Sequence, residues 1–315
     1  MKALVTGGAG FIGSTLVDRL LAEGHAVDVV DDLSTGSLAN LADARATPGY
    51  EMTFHRLDIR EPDLVELVAH RRPEVIFHLA AQADVRVSVE RPAFDAQVNI
   101  IGTLHVLEGA RAAGSRKVVF AASGGTLYGE PEKLPVQEST PHRPLSPYGV
   151  SKKSACDYLT AYRELHGIEF TALALSNVYG PRQDPHGEAG VVAIFAGRLL
   201  AGEPCTIFGD GEQTRDFVYV DDVVDAFARA AQKGSGLLMN IGTGVETSVN
   251  RLHDTMAAAA GADEPAVYAP ARPGELARSS LDPTRAGIHL GWEPWTTLEA
   301  GTAEVLRWFA GRQGR

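Results

Sequence analysis

Tyr148 and Lys152 stand four residues apart in the run Tyr148-Gly149-Val150-Ser151-Lys152. On a helix that spacing puts a phenol and an ammonium on one face. A cation beside a phenol favours the phenolate and lowers its pKa from about 10, which makes a tyrosine a usable base. Such pairs also occur on ordinary helix surfaces, so the run gains its meaning from a second feature upstream. Gly7, Gly10 and Gly13 repeat as G-x-x-G-x-x-G between an apolar segment and an amphipathic one. Glycines there let the backbone turn tightly and approach a pyrophosphate, while the helix N-terminus offers N–H groups and partial positive charge. Asp31 closes the next apolar run. A carboxylate in that place accepts from the ribose hydroxyls of an adenosine and repels a 2′-phosphate, which favours NAD over NADP. The plainer alternative is a glycine turn between packed elements, with Asp31 solvated. Asp58-Ile59, after a third strand, is placed to hold an adenine edge, although an aspartate at a strand end also serves as a turn former.

The elements that must position these residues alternate through the first half. Apolar runs predict strands at Lys2–Thr6, Ala26–Val30, Val75–Leu79, Lys117–Ala122 and Glu169–Leu175. Helical patterns fall at Ile12–Ala22, Asp63–His70, Phe94–Ala113 and Tyr148–His166. Near-continuous apolar strands separated by helices indicate a parallel sheet covered on both faces, hence a doubly wound α/β (Rossmann) fold. Beyond residue 176, Gly and Pro punctuate the chain and its elements read as short. Asp221–Ala231 reads as a helix capped by its aspartate, and Leu237–Ile241 as another buried strand. The expected division is a dinucleotide-binding part over 1–175, to which 216–243 returns, and a smaller mixed α/β lobe over 176–315. Ligands would then lie between the two, at the carboxyl ends of the strands.

Composition bounds the function classes. With 315 residues, 44% hydrophobic, the chain can bury one large core or two smaller ones. A net charge of −11 opposes nucleic acid or anionic lipid as a main partner. No run reaches the roughly 18 apolar residues of a membrane span, and glycines interrupt the N-terminal apolar segment too early for a signal peptide. Cys156 and Cys205 form neither a disulfide framework nor a zinc pattern, so a cytoplasmic location is expected.

Matching segments run the length of the chain: TGGAGFIGS (6–14), DDLSTG (31–36), HLAAQADVRVSV (78–89), SGGTLYGE (123–130), SPYGVSK (146–152), NVYGPRQDP (177–185), GDGEQTRDFVYVDDVV (209–224) and RPGE (272–275). By these the sequence resembles the extended short-chain dehydrogenase/reductases, and within them the bacterial UDP-glucose 4-epimerases. The resemblance implies NAD held by Gly7, Gly10, Phe11, Ile12, Gly13, Asp31, Asp32, Ser34, Thr35, Gly36, Asp58, Ile59, Leu79, Ala80, Ala81, Gln82 and Asn99, with Tyr148 and Lys152 at its reactive end. It implies a UDP-sugar held by Ser123, Asn177, Val191, Thr206, Phe208, Arg215, Arg272, Glu275 and Ser279. The two arginines suit a diphosphate because a planar guanidinium pairs with two oxygens at once. A homodimer through the 94–113 and 148–166 helices is implied as well.

One position departs from that pattern. The family's catalytic Ser or Thr falls on Gly124, which has no side chain to donate, so Ser123 is the first candidate and Thr126 the second. The related sugar-nucleotide 4,6-dehydratases need an Asp-Glu pair where this chain has Gly125 and Thr126. That favours epimerisation at C4 over elimination of water. Serine at 279, where a bulky tyrosine restricts relatives to glucose and galactose, leaves room for an N-acetylated sugar as in UDP-GlcNAc and UDP-GalNAc. Other readings are a UDP-glucuronate epimerase or decarboxylase, a dTDP-sugar epimerase, or a non-catalytic NAD-sensing protein, the last expected to have lost Tyr148 or Lys152.

Overall fold

The computed structural model describes residues 1–185, 190–271 and 276–313. Six strands open the central sheet: β1 (Lys2–Thr6), β2 (Ala26–Asp31), β3 (Met52–Arg56), β4 (Val75–His78), β5 (Lys117–Ser123) and β6 (Glu169–Leu175). A seventh, Leu237–Ile241, joins outside β6, and the order across the sheet is Leu237–Ile241, β6, β5, β4, β1, β2, β3. Every pairing is parallel. Successive strand residues face opposite sides, so an apolar run supplies two cores at once. Leu4, Ile76, Val118 and Phe120 pack on one side with Val106, Leu107 and Leu159. Ala3, Val5, Phe77 and Val119 pack on the other with Leu16, Leu20 and Phe227. The expected doubly wound sheet is present, and strand ends differ from expectation by at most a residue.

Helix α1 (Phe11–Ala22) follows β1. The helix expected from Phe94 starts two residues earlier, with Pro92 in its first turn where a missing N–H costs nothing. It then contains a π-turn over Gln97–Ile101 before continuing as Gly102–Ala113. Asn99, in that turn, is buried. Such single wide turns recur at functional sites.

The second half is more regular than its Gly and Pro content suggested. It carries helices Val191–Leu200, Val220–Ala230, Val249–Ala260 and Leu298–Gln313. The expectation of short elements holds for the helix Thr284–Leu290 and for the paired strands: Asn177–Tyr179 pairs with Phe217–Tyr219, Thr206–Phe208 with Val267–Ala269, and Thr214–Arg215 with Thr247–Ser248. Asp221 is not a cap. Tyr219 is the N-cap and makes no side-chain capping bond, while Asp221 and Asp222 lie in the first turn. Asp222 instead binds across the fold, accepting from the backbone of Trp295 and Thr296 and from the Thr296 hydroxyl. The Val220–Ala230 helix packs on α1. No helix among the described residues is long and apolar enough to cross a membrane.

Candidate active site

The glycine turn sits where β1 passes into α1, beside β4, where the strand order reverses. Gly7 has φ +70, and a Cβ there would lie 2.6 Å from Ala80 N. A Cβ on Gly13 would lie 2.0 Å from Gly7 O, so close packing of turn and helix requires both glycines. Gly10 differs. Among the described residues its Cβ would meet only Gly7 O, at 3.2 Å, so the turn is open there, as close approach of a pyrophosphate would need. Gly10 is the N-cap and has no side chain to satisfy the first amides of α1, at Phe11, Ile12 and Gly13. This cradle fits a dinucleotide.

Asp31, at the end of β2, is buried and accepts from Ala9 N and Leu33 N, both at 2.9 Å. Burial raises its pKa, and the two amide bonds oppose that rise. Gly36 lies against it, since a Cβ there would sit 2.9 Å from Asp31 Oδ1. Asp32 accepts from the Ser34 amide and hydroxyl, leaving Ser34 and Thr35 exposed on the rim. Asp58 is paired with Arg60, which holds its carboxyl below the usual range, and the Ile59 side chain turns into the core against Gly102.

The loop after β4 is fixed by a relay centred on His78. Thr103 donates to Asn99 O, so its oxygen accepts from His78 Nε2–H at 3.0 Å. His78 Nδ1 therefore accepts from the Thr6 hydroxyl at 2.7 Å, whose oxygen in turn receives Ala80 N. Burial pushes the His78 pKa down to about 3, consistent with the neutral ring this relay needs. Leu79 N also bonds Thr6 O, and Ala81 and Gln82 follow, half-buried. Asn99 clamps Gln82, accepting its amide at 3.0 Å and donating to its carbonyl at 2.9 Å. Asp95, which sequence reasoning missed, ties this loop to the Tyr–Lys helix. It accepts from Gln82 and Asn99 on one oxygen and from Ser151 on the other. Its spacing of four from Asn99 was the available signal.

The helix Pro147–His166 carries Tyr148 and Lys152. Ser146 caps it by accepting from Gly149 N, and Pro147 occupies the first turn, so Tyr148 is held at the helix start. Both side chains are buried. Lys152 Nζ donates to Ala121 O at 2.9 Å and lies 5.7 Å from the Tyr148 ring centroid. The expectation that a neighbouring cation lowers the phenol's pKa is corrected here. Burial dominates and pushes Tyr148 up, while a hydrogen bond with Ser123 pulls it back. Burial also brings Lys152 down to about 8.

Ser123 ends β5 beside that phenol. Thr126 Oγ1 is buried without a hydrogen-bond partner among the described residues. Its carbonyl lies where a Cβ on Gly149 would come within 2.8 Å.

Of the residues expected to hold the sugar nucleotide, Asn177 is exposed at the start of its strand, and Val191 opens a helix, half-buried. Thr206 and Phe208 share one face of their strand, with Ile207 buried on the other. Arg215 is half-buried and donates to the carbonyls of Thr214 and Leu276, and Ser279 is half-buried near by in sequence. Arg272 and Glu275 lie outside the described residues.

A parallel doubly wound sheet, a glycine turn where it reverses direction, and a buried Tyr–Lys helix beside it define a Rossmann-type short-chain dehydrogenase/reductase. The chain belongs to the extended branch of that family: the profile described as GDP-mannose 4,6 dehydratase matches residues 4–305. It is 53% identical to a UDP-glucose 4-epimerase of Mycolicibacterium smegmatis over 98% of both chains. Among solved structures it is similar to the UDP-glucose 4-epimerase of Thermotoga maritima with UDP-glucose, at 46% identity and a TM-score of 0.95, covering 99% of this chain and 100% of that one. It is also similar to the Thermus thermophilus UDP-glucose 4-epimerase in complex with NAD, at 43% identity and a TM-score of 0.91 over 99% of both chains.

Proposed function

We propose that the chain is an NAD-dependent epimerase that interconverts UDP-glucose and UDP-galactose by inverting C4. One observation carries this reading within a family described by a dehydratase. The catalytic turn brings Ser123 to the Tyr148 phenol but has glycine and threonine, not a carboxylate pair, at 125 and 126. Such a site moves a proton on and off an oxygen and has no acid and base to expel water.

The cradle at Gly10 and the Asp31 carboxylate would hold NAD, which when bound supplies the acceptor that takes hydrogen from C4 and returns it. Tyr148 removes the proton of the sugar's 4-hydroxyl, and Ser123 donates to the same oxygen. Lys152, fixed on Ala121 O, keeps a cation near the phenol. The 4-keto sugar stays tethered by its diphosphate to Arg215, Arg272 and Asn177, with Thr206 and Phe208 around the uracil, Glu275 on its ribose and Val191 alongside. It turns and receives hydrogen on its other face. In this reading 1–175 with 216–243 holds the cofactor, and the remainder of 176–315 holds the sugar nucleotide.

Val150, Tyr158 and Leu165 are exposed on one side of the Pro147–His166 helix, as is Ile101 on its neighbour, and they form the surface for a homodimer. Cys156 and Cys205 are free thiols, which suits a cytoplasmic enzyme.

The test is turnover of UDP-galactose by purified protein without added NAD. Conversion is expected; a protein inactive with and without NAD would overturn the reading. UDP-GlcNAc in the same assay tests the space left by Ser279, and absence of both turnover and competition at millimolar concentration would end that part.

A further inference from the structure

Gly124 is buried, and a Cβ on it would stand 2.3 Å from Leu281 Cδ1, 3.0 Å from Leu281 Cδ2 and 3.2 Å from Leu175 O. The first of these is closer than real Cβ atoms come, so a side chain at 124 would require the end of the Leu281 side chain to shift. The space in which a side chain at 124 would stand is therefore filled from the far end of the chain.

Leu281 is itself held firmly. It is 1% exposed, and its amide donates to Asp216 Oδ2 at 3.1 Å. Val136 bridges the residues on either side, donating to Ser280 O at 2.9 Å and accepting from Asp282 N at 2.8 Å. Asp216 is fully buried and also accepts from the Thr243 amide and hydroxyl and from Gly244 N. These bonds hold the Leu281 backbone in place, and its buried side chain can leave Gly124 only by changing rotamer within the packed core.

We propose that Leu281 is a positioning residue for the catalytic turn: its side chain packs on Gly124 and so holds Ser123 against the Tyr148 phenol. Gly124 and Leu281 then form one complementary pair, and the segment that carries Ser279 at the sugar end is mechanically joined to the hydroxyl that serves C4. The inference rests on Ser123 acting in the proposed epimerisation.

A double-mutant cycle with G124A and L281V tests it, because valine lacks both δ carbons that crowd position 124. Each substitution alone is expected to lower kcat for UDP-galactose at least tenfold, with KM and bound NAD within twofold of the parent. In the L281V background, adding G124A is expected to cost less than twofold. A protein in which G124A costs the same factor in both backgrounds, or in which L281V leaves kcat unchanged, overturns the proposal. Should G124A fail to fold alone but fold with L281V, the coupling is established by that rescue. S123A separates the premise from the inference. Full activity in S123A removes Ser123 from the reaction, whatever the cycle shows for the packing of Leu281 on Gly124.

Discussion

At the scale of single residues, the site sets burial of a phenol against the groups that favour its ionised form. Tyr148→Phe should fold, retain NAD and lose at least a hundredfold in turnover, in line with the usual contribution of about 10²–10⁴ from a positioned base. A variant keeping more than a tenth of the parent rate would exclude Tyr148. Ser123→Ala should cost about a hundredfold, and Thr126→Ala less. The sign of the pH effect follows from the structure. Ser123 lowers the Tyr148 pKa, so its removal raises that pKa, and the rising limb of log kcat against pH should move to higher pH in Ser123→Ala. An unmoved limb would leave Ser123 no part in ionising the phenol. The Tyr148–Lys152 pair and the Gly7 turn were legible because each is a local spacing. Gly124 was legible only as a departure, since the leucine that explains it is remote in sequence. The burial that raises Tyr148 was illegible for the same reason: it is made by residues from many segments.

At the scale of elements, the His78 relay ties β4 to β1 and to the helix bearing Asn99. Its folded pKa of about 3 lies below the ordinary 6.5, so between these values the unfolded chain binds more protons. The stability His78 confers is therefore complete above about pH 6.5 and is lost as pH falls towards 3. The loss between pH 7 and pH 5 should be about 2 kcal/mol from this residue, by the linkage of 1.36 kcal/mol per pH unit. Urea unfolding of the parent and of His78→Gln at pH 7, 6 and 5 checks it, and equal pH slopes in the two would remove His78 as the source. The strands were legible because burial on both faces leaves an uninterrupted apolar run. Of the helices after residue 190, the one expected at Asp221–Ala231 was legible apart from its cap, and the others were obscured by the turns between them; the false cap at Asp221 shows how a local pattern misleads. An aspartate near a helix start satisfies the local pattern whether it binds its own helix or, as Asp222 does, a distant loop.

At the scale of the whole molecule, pairing of two copies through the exposed faces of the 101 and 158 region should give a sedimenting dimer. Tyr158→Glu should shift it to a monomer, and a parent protein that sediments as a monomer would contradict the arrangement.

The outermost place of the Leu237–Ile241 strand has a consequence for synthesis. It is paired from Leu237 against Thr171 to Ile241 against Leu175, and so covers the whole outer row of amides and carbonyls on that part of β6. A chain emerging from the ribosome makes β6 long before it makes residue 237. Throughout that interval the apolar run Phe170–Leu175 has an open hydrogen-bonding margin, the kind of surface on which foreign strands add. Release of the C-terminal third therefore finishes the half of the molecule that was translated first.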